Sequence, residues 1–217
     1  MPSIAKQIVI LFSRKIHFRN FWIAGLVFAF CFFCLSAEAQ SHKTYKSLKE
    51  ALSAAKEDPT SVEILDLSKD KLKKLTASVG ELTHLKTLIL RKNQLTDLPT
   101  ELAQCTQLEI LDLRKNEMTA FPQVISQLKN LQTLRVAQNP IEAIPEWMPE
   151  LTQLTYLDMW DTELKTFSEH FKKMQQLKTL DLRQTYIWEK DVEETYKSWL
   201  PNTEILSTWD CDCKPSK

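Results

Sequence analysis

A 23-residue phrase returns along this chain with starts at Val62, Leu85, Leu108, Leu131, Leu154 and Leu177. Its openings read "VEILDLSKD", "LKTLILRKN", "LEILDLRKN", "LQTLRVAQN", "LTYLDMWDT" and "LKTLDLRQT". Apolar residues fall at the first, fourth and sixth places and again at the eleventh, fourteenth, eighteenth and twenty-first. In the third copy these are Leu108, Leu111, Leu113, Met118, Phe121, Ile125 and Leu128. Alternation around the fourth and sixth places is the period-two mark of a short strand, and the later spacing of three and four suits a loose helical or 3₁₀ return. One such unit cannot bury its apolar side alone. The copies must stack and share a core.

The pattern resembles the leucine-rich repeat family in its form L-x-x-L-x-L-x-x-N-x-L-x-x-L-P, over about residues 62–187. The resemblance implies an α/β solenoid, a horseshoe arc with about six parallel short strands on the concave face. Returns of 3₁₀ or helical type would form the convex face, with a helical cap at each end. It also implies protein binding, although a fold alone names no ligand. Asp70, Thr162 and Thr185 depart from the pattern at the Asn place, and Ser168 departs from it at the Pro place.

Hydrogen-bond accounting explains the Asn. Where each strand turns away, backbone groups face the core, and leaving one unpaired costs about 1–3 kcal/mol. Asn carries both a donor and an acceptor, so Asn93, Asn116 and Asn139 are expected to bridge adjacent turns, and Asp70, Thr162 and Thr185 to bridge less completely. Pro99, Pro122 and Pro145 fix φ on the outer turn, where no ladder needs an N–H. All of these are structural residues.

A stack needs closed ends. In residues 40–61, "YKSLKEALSAAKED" places Tyr45, Leu48, Ala51, Leu52 and Ala55 on one helical face, with Pro59 marking the end. In residues 188–208, Val192, Tyr196 and Trp199 fall at helical spacing and "TEILS" offers a last strand. The tail at 209–217 has no pattern.

Residues 1–39 read as an export signal. A cationic start is followed by the uncharged run "FWIAGLVFAFCFFCL" and by Ala37 and Ala39, spaced as at a cleavage site. The run is shorter than the roughly 20 residues a spanning helix needs. An exported protein is expected, periplasmic, cell-surface or secreted after cleavage near Ala39. Any membrane link would run only through an uncleaved signal. Removing the four cations and one acid of the leader from 28 of each leaves 24 basic and 27 acidic residues. That balance gives no footprint for nucleic acid.

Beyond the leader, Gly80 is the only glycine, which excludes glycine-rich phosphate loops and nucleophile elbows. His42, His84 and His170 lie far apart and outside metal-binding spacings, so no cofactor or metal is expected, and no enzyme. Cys105, Cys211 and Cys213 remain after cleavage. Cys105 occupies an apolar place and should be buried. Cys211 and Cys213 could bond to each other or to Cys105, could bind a soft metal with an outside ligand, or could have no special role.

Function is then left to places the repeat does not use. Strand alternation sends the third and fifth residues to the concave face. The fifth place reads Asp66, Ile89, Asp112, Arg135, Asp158 and Asp181, and the seventh reads Ser68, Arg91, Arg114, Ala137, Trp160 and Arg183. Tyr156 and Trp160 are large aromatics aimed outward beside Arg135, Asp158 and Arg183, and Tyr, Trp and Arg dominate binding hot spots. With Arg114 and Asp112 they form the candidate ligand site. The Asp/Arg mixture reads equally as internal cross-strand pairing, and Arg91, Lys92, Arg114 and Lys115 as one basic spot. Six strands about 4.8 Å apart, each showing roughly 13 Å of chain, project on the order of 300 Å², against about 800 Å² per partner in a standard interface. The expected partner is therefore a protein that also grips the flanks, a peptide, or a glycan. The rival is an assembly role, with copies joined through flanks or tail cysteines.

Overall fold

A computed structural model describes residues 43–207. The export signal and the tail cysteines Cys211 and Cys213 lie outside the described residues. Eight strands pair in chain order in one parallel sheet: β1 Thr44–Tyr45, β2 Ile64–Asp66, β3 Thr87–Ile89, β4 Ile110–Asp112, β5 Thr133–Arg135, β6 Tyr156–Asp158, β7 Thr179–Asp181 and β8 Glu204–Leu206. From β2 to β7 each residue faces its counterpart one repeat away. Leu65 lies beside Leu88, Leu88 beside Leu111, and Leu111 beside Leu134. A one-residue slip would turn every one of those leucines outward, so the apolar pattern fixes the register.

The returns are 3₁₀ turns, at Ala77–Glu81, Thr100–Gln104, Gln123–Gln127, Met148–Glu150 and Glu169–Lys173. Pro99 and Pro122 stand directly before two of them, with φ of −68° and −54°. Between sheet and returns runs one continuous apolar core, in which the fourth-place leucines of every repeat are fully buried.

The Asn ladder forms as hydrogen-bond accounting requires. The side-chain amide of Asn116 donates to the carbonyls of Leu90 at 3.0 Å and Leu113 at 2.8 Å, and its Oδ1 accepts from the Leu95 N–H at 3.0 Å. Asn93 and Asn139 repeat this three-way bridge one turn to either side. Thr162 and Thr185 each donate only to a carbonyl within their own repeat. Directly before the Asn place the backbone turns left-handed. Lys69, Lys92, Lys115, Gln138, Asp161 and Gln184 all have φ between 55° and 68°. That region is uncommon for residues with a side chain, and the stacked ladder holds it in every copy.

Gly80 is required by a close approach. A Cβ there would meet the Glu101 carbonyl oxygen of the next return at 2.5 Å.

Both caps add a strand, which raises the expected count from about six to eight. Tyr45 belongs to β1 and not to the capping helix face: it pairs beside Leu65, covering the edge of β2, and is buried. The helix α1 begins after it, at Leu48–Glu57, and seals the core with Ala51. At the other end the chain coils through Glu189–Asp191, a π-helical turn at Val192–Tyr196, and Lys197–Trp199 before β8. Tyr196 stacks on Phe167 with ring centroids 4.1 Å apart, and Phe167 packs on Phe171 at 5.0 Å. These aromatics fasten the second cap to the last return. Cys105 is buried and free, its thiol donating to the Val79 carbonyl. Burial pushes that thiol up to about 11, well away from thiolate chemistry. Among the described residues no helix is long and apolar enough to cross a membrane.

Candidate functional site

The sheet face opposite the returns carries the third and fifth residue of each strand and, where the chain leaves the strand, the seventh. One local rule organises it. Asp66, Asp112, Asp158 and Asp181 each accept the backbone N–H two residues on, at 3.0–3.1 Å. This carboxylate turn steers the chain from the strand toward the left-handed residue.

In two repeats the seventh-place side chain completes a clamp. Arg114 donates Nε to Asp112 Oδ1 at 2.9 Å and Nη2 to Oδ2 at 2.5 Å. Arg183 donates to Asp181 in the same way, at 2.9 and 2.6 Å. The carboxylates raise both guanidinium pKa values further above their ordinary value. Asp112 and Asp181 are 3% and 2% exposed, so they are already satisfied from above. Asp112, expected on the ligand-facing surface, is therefore a buried anchor for Arg114. The side chain was sent to the correct face, but the arginine two residues on covers it.

The fifth repeat breaks the rule, because Trp160 occupies the arginine's place. Asp158 is 7% exposed, yet no side-chain cation pairs with it among the described residues, and its bond to the Trp160 N–H is at 3.1 Å. Burial pushes its carboxyl pKa up; the Trp160 N–H opposes this, and the Asp181 charge adds to it. Arg114 and Arg135 both lower it through space, and Arg135, one strand away, lays its guanidinium over the Tyr156 ring, 5.7 Å from the centroid. Tyr156 is half-buried, and burial together with Asp158 and Asp181 raises its phenol pKa.

These side chains surround a cavity of about 360 Å³ lined by Arg91, Arg114, Lys115, Gln138, Tyr156, Asp158, Trp160, Asp181 and Arg183. Its opening follows from the seventh column: Ala137, the smallest residue there, is buried between the repeats of Arg114 and Trp160. Of the expected residues, Tyr156, Asp158, Trp160, Arg114 and Arg183 come together around it. Arg135 and Asp112 stand behind it, on Tyr156 and Arg114. Arg91, Lys115, Gln138 and Asp181 also line it and were not among the expected site residues, although the sequence groups Arg91 and Lys115 in one basic spot. Lys115 and Gln138 occupy the eighth place, and the strand alternation that selects the third and fifth places stops short of it. On the flank, Arg91, Lys115 and Lys69 depress the Lys92 pKa, the signature of cations crowded without an anion between them. Among the described residues no group of three or more His, Cys, Asp or Glu side chains converges to hold a metal ion.

A family model described as a leucine-rich repeat region matches residues 53–216. No curated protein matches the chain. Many solved structures do. An internalin (inlF) from Listeria monocytogenes is 21% identical with a TM-score of 0.61, over 77% of this chain and 45% of that one. Internalin C2 from the same species is 26% identical with a TM-score of 0.58, over 69% of this chain and 62% of that one. The ectodomain of the Arabidopsis thaliana membrane receptor kinase GASSHO1/SCHENGEN3, solved with CASPARIAN STRIP INTEGRITY FACTOR 2, is 26% identical with a TM-score of 0.50, over 59% of this chain and 16% of that one. This chain thus spans less than two thirds of the length of each.

Proposed function

The chain belongs to the leucine-rich repeat family, and on that premise we propose that it is an exported, non-catalytic module holding a protein or peptide ligand against the open face of its sheet. The contact is centred on the fifth repeat. The observation that carries this reading is the cavity between Tyr156 and Trp160, where two half-buried aromatics, an unclamped carboxylate and Arg183 converge on a rigid ladder. Half-buried aromatics beside arginine are what hot spots are made of. Each strand's side chains on this face can vary while the leucines beneath them stay fixed. The complex recorded for the plant receptor ectodomain lends general support, since it shows one relative engaging another factor.

Export rests on the leader sequence alone. The small projected area of the face favours an extended peptide or a segment of a larger protein that also touches the flanks. A Trp160→Ala/Arg183→Ala double variant that keeps its fold should lose capture of its partner from extracts of the source cells. Undiminished capture would remove the site from the fifth repeat.

A further inference from the structure

Asp112 and Asp181 show what a fifth-place aspartate requires at this depth: a guanidinium gripping both oxygens. Asp158 has the same backbone contact and comparable burial, but its second oxygen has no hydrogen-bond partner among the described residues. No described side chain holds a polar atom sealed from solvent without a partner, so that oxygen opens to the cavity that Asp158 lines. A carboxylate left like this is costly unless something completes it. The wall beside it is Trp160, the aromatic face on which a flat cation stacks best. Tyr156 demonstrates the preference in place, since Arg135 already lies over its ring.

We propose that this pocket takes the guanidinium of an arginine side chain from the bound polypeptide, paired to Asp158 and stacked on Trp160. The inference rests on the reading of the sheet face as the binding surface and adds the chemistry of the ligand. The cations around the pocket do not oppose it. Arg114 and Arg183 are each clamped by their own aspartate and hydrogen-bond to it, not to Asp158. Arg91 and Lys115 line the same cavity from the turns leaving β3 and β4, three and two strands from β6, so they stand at its other end from Asp158 and Trp160. Lysine would reach Asp158 as a point charge but lacks the planar fork that the clamp geometry selects.

The test is a titration of the full chain with Nα-acetyl-arginine amide, following the Trp160 indole N–H and the Asp158 carboxyl carbon by NMR. Saturable shifts at both groups are expected. The neutral isostere Nα-acetyl-citrulline amide should bind about tenfold more weakly or worse, one charge-assisted bond's worth of affinity. Asp158→Asn should abolish the arginine-specific part. Trp160→Arg, which supplies the fork from within the chain as at positions 114 and 183, should occlude the pocket. Equal shifts from arginine and citrulline, retention in Asp158→Asn, or a stronger response to Nα-acetyl-glutamate amide would each overturn the proposal. Partner capture that survives Asp158→Asn but not the Trp160/Arg183 double variant would overturn it while leaving the sheet-face reading intact.

Discussion

Trp160 stands to Asp158 as Arg114 stands to Asp112, two residues on and with the same backbone bond, but it cannot complete the clamp. Trp160→Arg should therefore rebuild the clamp within the chain. The loss of indole packing complicates a direct comparison of stabilities, so the quantity to read is the coupling in a double-mutant cycle with Asp158→Asn. A coupling of about 1–2 kcal/mol is expected, as for charge-assisted bonds in a partly buried site. Coupling indistinguishable from zero would mean the arginine swings to solvent and that Asp158 is not presented as Asp112 is.

Asp158 should also leave a mark on the pH dependence of stability. Its folded carboxyl pKa lies above the ordinary value, because burial penalises the charged form more than the Trp160 N–H rewards it. Between the unfolded and the raised folded value, the folded chain binds more protons than the unfolded one. Stability therefore falls as pH rises through that window, and the deficit persists at neutral pH. Asp158→Asn has no such proton to lose. Its melting temperature relative to the parent should be near equal at pH 3 and higher at pH 7. A difference that is flat across that range, or a variant less stable at pH 7, would contradict the assignment of Asp158 as an uncompensated buried charge.

The stack, its register and the role of Asn were legible in the sequence because they follow from periodicity and from hydrogen-bond accounting, both of which repeat with the phrase. The caps were legible as coverings but less so in form. Tyr45 fits a helical face as well as a strand, and only the exposed edge of β2 decides for pairing. The candidate site was half legible. Alternation sends Asp112, Asp158 and Asp181 to the right face, yet it cannot say that an arginine two residues on clamps the first and third while a tryptophan leaves the second, equally buried, unclamped. Gln138 and Lys115 reach the cavity from left-handed turns, a geometry that no period-two reading contains.

The two kinds of residue at the ladder position should differ in what they contribute. Asn116→Ala would leave the N–H of Leu95 without a partner in a dry layer and would take one of two amide donors from each of the Leu90 and Leu113 carbonyls, which still accept from Asn93 and Asn139. One stranded donor at about 1–3 kcal/mol and two further bonds lost, partly relieved by relaxation, give a loss of about 2–4 kcal/mol. Thr162→Ala removes a single bond to the Met159 carbonyl and should cost about 1 kcal/mol. Chemical denaturation of the two variants checks the ratio. Equal losses would show that the ladder's stability does not come from bridging between repeats.

Gly80 should tolerate nothing larger than hydrogen. The return that contains it lies against the next return closely enough that an added methyl would sit 2.5 Å from the Glu101 carbonyl oxygen and 3.0 Å from the Gln104 side-chain oxygen. The second obstacle is the end of a flexible side chain and can swing away. The first is backbone, held in place by the fully buried Leu102 that follows it. Gly80→Ala should therefore cost about 1–3 kcal/mol as overpacking, even though alanine would lower the entropy of the unfolded chain. Adding Gln104→Ala should not restore what is lost, since the backbone contact remains. Full recovery in the double variant, seen as a melting temperature returned to that of Gln104→Ala alone, would place the conflict at the side chain and show that the two returns can slide apart.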